Sequence, residues 1–162
     1  MSTSRRSEEH MIVRLLIFFV LNFTALALGG LFTSESVSSD WYLNLNKAPW
    51  TPPGWVFGAA WTTIMICFSI YMAYLWDDKE KRKIIAGLYA IQWMLNVGWN
   101  PVFFLYHQII GGLILITALT FLVGYFTVNY RHSLNLKTLL ILPYFIWLLI
   151  ATSLNAFIFI AN

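Results

Sequence analysis

Five side chains suited to hydrogen bonding and stacking recur at helical spacing in the middle of the chain: Gln92, Asn96, Trp99, Asn100 and Phe103. At about 100° per residue, they share one arc of an α-helix that is about 100° wide. A carboxamide facing lipid would leave its donors and acceptors without partners, so this face must point towards other helices or a ligand. Two interpretations stay open for this stretch: hydrogen bonds between helices, each worth about 1 kcal/mol, or the polar wall of a binding cavity.

The long apolar runs lack the ionisable residues on which many transport mechanisms depend. All carboxylates and histidines of the chain lie outside these runs, which argues against proton pumps, ion-coupled carriers and voltage sensors. Cys67 is the only cysteine, so we expect neither a disulfide nor a metal site. What remains is the chemistry of 13 Phe, 8 Trp and 8 Tyr residues, whose stacking and apolar contacts suit a planar hydrophobic ligand.

The composition is that of an integral membrane protein, with 59% hydrophobic and only 10% charged residues. Five apolar runs, each long enough to cross a bilayer, follow one another along the chain. They predict an all-α fold, a single five-transmembrane-helix bundle over residues 1–162, with spans at approximately 12–32, 54–76, 84–106, 108–130 and 138–160. The first run also resembles a cleaved signal peptide; we favour a retained helix because four more spans follow.

The basic residues predict how these spans are oriented. With five spans, nine of the ten Lys and Arg residues fall on the side of the N-terminus, and only Lys47 falls on the other side. By the positive-inside rule, the N-terminus of this multi-pass protein is cytoplasmic, and the first loop and the C-terminus lie on the outer side. This topology explains the net charge of +3 without a nucleic-acid partner.

Residues 33–53 form the one long connection, and they combine a Ser-rich sequence with Trp41, Tyr42 and Trp50. Aromatic residues here either anchor the chain at the membrane interface or fold over the mouth of a pocket as a lid. A face of aromatic, polar and small residues recurs on the last span: Tyr144, Trp147, Ala151 and Asn155. Two such faces within one bundle favour a cavity over hydrogen bonds between helices alone.

Three groups of residues, collinear and together covering nearly the whole chain, resemble the signature of the translocator protein family, also called the tryptophan-rich sensory proteins. The groups are Trp41-Tyr42 with Lys47 to Gly54, then Gly87-Leu88-Tyr89 with Gln92, Asn96 and Trp99, and finally Pro143-Tyr144 with Trp147, Ala151 and Asn155. The chain resembles a bacterial member of this family. It departs from the animal members at residues 154–160, which lack the Tyr and the basic residue of their proposed cholesterol motif.

The resemblance implies a homodimeric five-helix protein of the lipid bilayer, whose cavity under the first loop binds porphyrins such as protoporphyrin IX and synthetic benzodiazepine-receptor ligands. Family residues that line this cavity match Tyr42, Trp50, Asn96, Trp99, Trp147 and Ala151. The helical-face argument adds Gln92 and Asn100 to the candidate ligand-binding residues. We expect no required cofactor, and the absent cholesterol motif gives no reason to assign a sterol partner.

Three functions are compatible with these residues. The leading hypothesis is a membrane protein that binds and senses porphyrins or similar hydrophobic molecules. The alternative is a light- and oxygen-dependent porphyrin-degrading enzyme, for which Trp50 and Trp147 are the only catalytic candidates implied by the resemblance. The third is a transporter of hydrophobic ligands, which ranks lowest because no intramembrane charge offers a coupling site.

Overall fold

The structure is a computed structural model that describes residues 3–162, and over these residues it contains helices and no strands. In chain order the elements are α1 (Thr3–Ser36), α2 (Asp40–Asn44), α3 (Gly54–Leu75), α4 (Arg82–Asn100), a π-helical turn (Pro101–Leu105), α5 (Ile109–Asn129), α6 (Arg131–Leu134), a 3-10 helix (Asn135–Ile141) and α7 (Leu142–Ala161). The long helices are α1, α3, α4, α5 and α7. The predicted all-α fold is therefore confirmed.

Four helical stretches of the described chain are long and apolar enough to cross a membrane: Glu8–Ser36, Gly54–Leu75, Ile109–Asn129 and Arg131–Ala161. This number supports a multi-pass membrane protein. The predicted third span is not among the four, because α4 begins with Arg82-Lys83 and carries three carboxamides along its length. A fifth span is therefore not established by length and hydropathy.

Two predicted boundaries differ from the structure. The predicted loop 33–53 is shorter and partly helical: α1 continues to Ser36, and the connection to α3 contains α2. The Ser39 side chain caps α2 by accepting a hydrogen bond from the backbone N–H of Tyr42 at 3.3 Å. The last long helix begins at Leu142 rather than at residue 138, because Pro143 is favoured in the first turn of a helix and not in its interior.

The backbone departs from α-helical geometry at Pro101. Proline has no N–H to donate, and its ring crowds the preceding turn. The chain continues as a π-helical turn, in which the Tyr106 N–H donates to the Pro101 carbonyl at 2.9 Å. This turn buries two consecutive side chains, Phe103 and Phe104, and so directs two aromatic rings into the bundle.

Contacts at the two ends of the bundle show how α1, α3 and α7 are oriented. At one end, Arg14 in the first half of α1 forms an ion pair at 2.7 Å with Asp77, which follows the C-terminal end of α3. At the other end, the Asn46 backbone N–H donates to Asn162 Oδ1 at 2.9 Å. The connection between α1 and α3 thus shares one end with the C-terminus of α7, as the topology prediction requires.

The half of the bundle that contains the Arg14–Asp77 ion pair is solidly packed. Its large side chains are fully buried: Phe68, Tyr71, Met72, Phe126, Tyr130 and Tyr144. Several buried polar groups there are paired with one another: the Tyr89 hydroxyl donates to Asn22 Oδ1 at 2.8 Å, and Asn22 Nδ2 donates to Ser69 Oγ at 2.9 Å. The other half of the bundle contains a cavity.

Candidate ligand-binding cavity

A cavity of about 600 Å³ lies between α1, α3 and α4, under the connection that contains α2. Its aromatic and polar walls include Phe57, Trp61, Trp99, Thr33, Asn96 and Asn100. The connection contributes Tyr42, Lys47 and Thr51. Small-molecule sites in proteins are of this size, about 300–1,000 Å³, and combine apolar walls with a few polar groups in the same way.

Glycines provide much of the space. A Cβ atom added to Gly30 or Gly58 would meet no atom within 4 Å, because both residues border open volume. Gly29 has a different role, since a Cβ there would lie 2.8 Å from Asn100 Nδ2. Its missing side chain lets α1 approach the polar face of α4.

The polar wall of the cavity is held by hydrogen bonds between α1 and α4. Thr33 Oγ1 donates to Asn100 Oδ1 at 2.9 Å, and Asn100 Nδ2 donates to the Asn96 carbonyl at 3.1 Å. These bonds fix the Asn100 carboxamide. Asn96 is 6% exposed and lines the cavity, so its carboxamide is a polar group that a bound ligand could reach.

Gln92 lies one turn from Asn96 on the same face but does not line the cavity. It is 1% exposed, and its Nε2 donates to the Tyr144 hydroxyl at 2.8 Å, which joins α4 to α7. Both interpretations of the α4 face therefore apply, to different extents at each residue. Gln92 forms a hydrogen bond between helices, Asn96 lies on the cavity wall, and Asn100 does both.

A smaller pocket of about 50 Å³ extends from the cavity towards α7 and is lined by Trp147, Ala151 and Asn155. The two volumes share wall residues, among them Trp99, whose Nε1 donates to Asn155 Oδ1 at 3.4 Å. The Trp147 ring packs edge-on against Phe57 at 5.3 Å between centroids. Among the residues that the structure describes, no group accepts a hydrogen bond from the buried Trp147 Nε1.

Trp50 lies outside the lining of both volumes. The chain turns tightly at residues 48–51, where the Thr51 N–H donates to the Ala48 carbonyl at 2.9 Å, and Trp50 occupies the corner of that turn. Its side chain is 54% exposed, donates from Nε1 to Ser153 Oγ at 3.2 Å and packs against the Phe157 ring. Of the two tryptophans considered as catalytic candidates, only Trp147 borders the site.

The connection over the cavity is attached to the bundle by aromatic contacts. The Trp41 ring stacks on the His107 imidazole with 4.1 Å between centroids, and the Tyr42 ring contacts Phe104 at 5.6 Å. Burial raises the pKa of the Tyr42 phenol, so this side chain stays neutral at physiological pH and can donate or accept one hydrogen bond. The connection is thus placed to act as a lid.

Sequence reasoning missed several wall residues, most clearly Phe57, Trp61 and Lys47. A signal for the first two was present, because Phe57 and Trp61 are one helical turn apart and so share a face of α3. Nothing local indicates that Lys47, in an irregular segment, lines the cavity. Within the part of the chain that the structure describes, no cluster of three or more His, Cys, Asp or Glu residues could hold a metal ion.

Comparisons with known proteins connect this geometry to one family. The sequence model of the TspO/MBR family matches residues 17–160. The chain is 33% identical over 143 residues to protein CrtK of Rhodobacter capsulatus, covering 86% of this chain and 89% of the relative. It is 34% identical over 137 residues to the tryptophan-rich protein TspO of Archaeoglobus fulgidus (83% and 87% covered). It is also 32% identical over 119 residues to the human translocator protein (71% and 70% covered).

Proposed function

This chain belongs to the TspO/MBR family of membrane proteins, and we propose that it binds and senses porphyrins and similar planar hydrophobic molecules in the cavity between α1, α3 and α4. The relatives include proteins named tryptophan-rich sensory protein and translocator protein. Their names concern sensing and translocation and do not state a ligand. The ligand class proposed for this chain comes from the chemistry of its cavity and from the family resemblance of its motifs.

The observation that carries the proposal is the shape and lining of the cavity. The cavity of about 600 Å³ is lined by flat aromatic side chains on two helices, Phe57 and Trp61 on α3 and Trp99 on α4. Flat rings offer a planar ligand stacking and edge contacts. The Asn96 and Asn100 carboxamides on the same wall supply the few polar groups that orient a ligand.

We further propose that α4 and the π-helical turn form a fifth membrane span. Residues 82–105 cover roughly 35 Å at about 1.5 Å per residue, which exceeds the hydrocarbon thickness of about 30 Å. The carboxamides that lower the hydropathy of this segment face the bundle interior, since Gln92 and Asn96 are both buried. In the orientation predicted from the basic residues, the N-terminus is cytoplasmic and the lid is on the outer side. Homodimerisation stays a prediction of the family resemblance.

Binding is favoured over photochemical degradation by the position of Trp50. A mechanism that uses Trp50 and Trp147 together requires both indoles to contact one ligand. Trp147 borders the smaller pocket, but Trp50 is 54% exposed and packs on the outside of α7. The cavity therefore supports recognition by shape and hydrogen bonding. Among the described residues, the lid contributes no tryptophan to the wall of either volume.

The experiment that tests the proposal is titration of the purified protein with protoporphyrin IX in the dark, followed by tryptophan fluorescence quenching. Gly58→Phe places a benzyl group on the cavity wall, where a new Cβ meets no atom within 4 Å. Gly87→Phe is the matched control, because Gly87 is also a helical glycine with open space around it and does not line the cavity.

We expect saturable binding by the wild type, weakened at least about tenfold, or about 1.4 kcal/mol, in Gly58→Phe. The Gly87→Phe variant should bind as the wild type does. Absence of saturable binding by the wild type would refute the ligand class. Equal affinity in the wild type and Gly58→Phe would refute the location of the site.

A further inference from the structure

The lining of the cavity contains a single formal charge. Lys47 lines both the large cavity and the smaller pocket, and no Asp, Glu, Arg or other Lys lines either volume in the part of the chain that the structure describes. It belongs to the lid, in the irregular segment that follows α2. The one formal charge beside the neutral polar and apolar groups of this lining is therefore an ammonium group.

The Lys47 ammonium is held at the wall by neighbouring groups of the lid. Its Nζ lies 4.7 Å from the centroid of the Tyr42 ring, an arrangement that stabilises a cation. It donates to the backbone carbonyls of Leu43 at 3.2 Å and Leu45 at 3.4 Å, both at the C-terminal end of α2. The ion pairs of the described residues, Arg14 with Asp77 and Lys81 with Asp78, do not involve it.

We propose that Lys47 is a specificity-determining residue that selects ligands with a carboxylate, so that the cavity takes planar hydrophobic acids in preference to neutral molecules of the same shape. The inference rests on the proposed function, since it assigns the polar end of the ligand in the same cavity. An ammonium has three donors, and the two carbonyl bonds leave one for a ligand oxygen. A charge-assisted hydrogen bond between the Lys47 ammonium and a ligand carboxylate offsets the cost of desolvating both ions. A neutral ester carries no charge that could pair with the ammonium.

The lid offers the carboxylate a second donor. The Tyr42 phenol lines both volumes beside Lys47, and burial keeps it protonated by raising its pKa. A ligand acid at this position would lie under the lid, with its apolar body between Trp61 and Trp99. The polar end of the ligand would then be next to the lid and not in the apolar interior.

The test compares acids with their methyl esters in neutral detergent at pH 7.5. Two probe pairs are used: protoporphyrin IX with its dimethyl ester, and 1-pyrenebutyric acid with its methyl ester. Affinities are measured for the wild type, Lys47→Gln, Lys47→Arg and the control Lys137→Gln. Lys137 is a matched control because its Nζ also lies over a tyrosine ring, Tyr74, at 3.9 Å, but outside the cavity lining. The ratio of acid to ester affinity is compared between variants, which cancels partition of each probe into detergent.

We expect the acid-to-ester ratio to fall about five- to tenfold in Lys47→Gln, with unchanged ester affinity, and to stay near the wild-type value in Lys47→Arg and Lys137→Gln. Equal ratios in the wild type and Lys47→Gln would overturn the inference. So would an equal fall in Lys47→Arg, because packing rather than charge would then be responsible.

The two probe pairs separate failure of this inference from failure of the proposed function. If neither porphyrin binds the wild type while pyrenebutyric acid binds in a Lys47-dependent way, the porphyrin proposal is refuted and the carboxylate preference is supported. If the porphyrins bind the wild type but their acid-to-ester ratio is the same in Lys47→Gln, the porphyrin proposal is supported and the carboxylate preference is refuted. If no probe binds the wild type, both proposals are refuted.

Discussion

Replacing Gly112 with alanine should strain the contact between α5 and the π-helical turn. Gly112 is buried on α5, and a Cβ added there would lie 2.8 Å from Phe103 Cδ2 and 3.1 Å from Phe103 Cβ. The second distance matters more, because the Cβ of Phe103 cannot move without its backbone. Phe103 is 2% exposed, and its ring stacks on Trp99 with 5.7 Å between centroids, so moving the ring away from a new methyl group would disturb that stacking contact.

The expected loss of stability in Gly112→Ala is estimated by comparison with Gly98→Ala. Gly98 is also a helical glycine, on α4, and a Cβ there would meet no atom within 4 Å. Both substitutions gain the helix propensity of alanine, about 0.5–1 kcal/mol, and this gain cancels in the difference. Overpacking a filled site costs about 1–3 kcal/mol. Gly112→Ala should therefore be about 1–3 kcal/mol less stable than Gly98→Ala.

The assay is thermal unfolding of both variants in the same detergent without ligand, followed by circular dichroism. A difference of about 1–3 kcal/mol corresponds to roughly 3–9 °C in the midpoint for a chain of this length. A secondary readout is ligand affinity: Gly112→Ala should weaken it, because Phe103 supports the cavity residue Trp99.

Equal midpoints for Gly112→Ala and Gly98→Ala would refute the reasoning, because the Phe103 contact would then be loose enough to accept a methyl group. A lower midpoint for Gly98→Ala would be a stronger contradiction. It would mean that a group not seen in this structure occupies the space around Gly98, where a Cβ atom would meet nothing within 4 Å.

Three further predictions concern single contacts. Tyr89→Phe leaves Asn22 Oδ1 without its hydrogen bond and should cost about 1 kcal/mol in unfolding free energy; no change in the denaturation midpoint would contradict the buried network. The hydrogen bond from Arg14 lowers the pKa of Asp77. The stabilisation that this pair gives the folded protein is therefore present above the unfolded pKa of about 3.9 and is lost as the pH falls through the folded pKa. This exposed pair is worth under about 1 kcal/mol, and Asp77→Asn should remove that part of the acid sensitivity in melts from pH 6 to 3. Trp50→Phe should bind protoporphyrin IX within about twofold of the wild type, since Trp50 is outside the cavity lining; a tenfold loss in the dark titration would refute that placement.

The α4 face shows what helical periodicity can predict and what it cannot. The spacing of its carboxamides predicts that they point inward, and Gln92 and Asn96 are indeed buried. Periodicity does not distinguish the two, because it gives the direction of a side chain and not what faces it. Gln92 meets the Tyr144 hydroxyl of α7, whereas one turn further along α4 Asn96 borders the cavity between α1, α3 and α4.

Trp50 shows the limit of motif matching. The motif residues around it line the cavity, including Lys47 and Thr51, whereas Trp50 itself contacts Ser153 and Phe157 on α7. A tight turn at residues 48–51 directs its side chain outward. Neighbouring residues of one motif can thus end on opposite sides of a lid, because each turn residue changes the direction of the next side chain.

The sequence by itself determined the all-α fold, the multi-pass membrane class and the inward direction of the polar faces. It could do so because lipid offers no hydrogen-bond partners, so apolar length and the position of each polar group constrain the fold directly. Only the tertiary structure decided the volume of the cavity, which carboxamides border it, and that Lys47 is the charged side chain on its wall among residues 3–162. These features depend on the distance between helices and on contacts between residues far apart in the chain, such as Thr33 with Asn100 and Gln92 with Tyr144. Such distances are set by the packing of the whole bundle and by no local pattern.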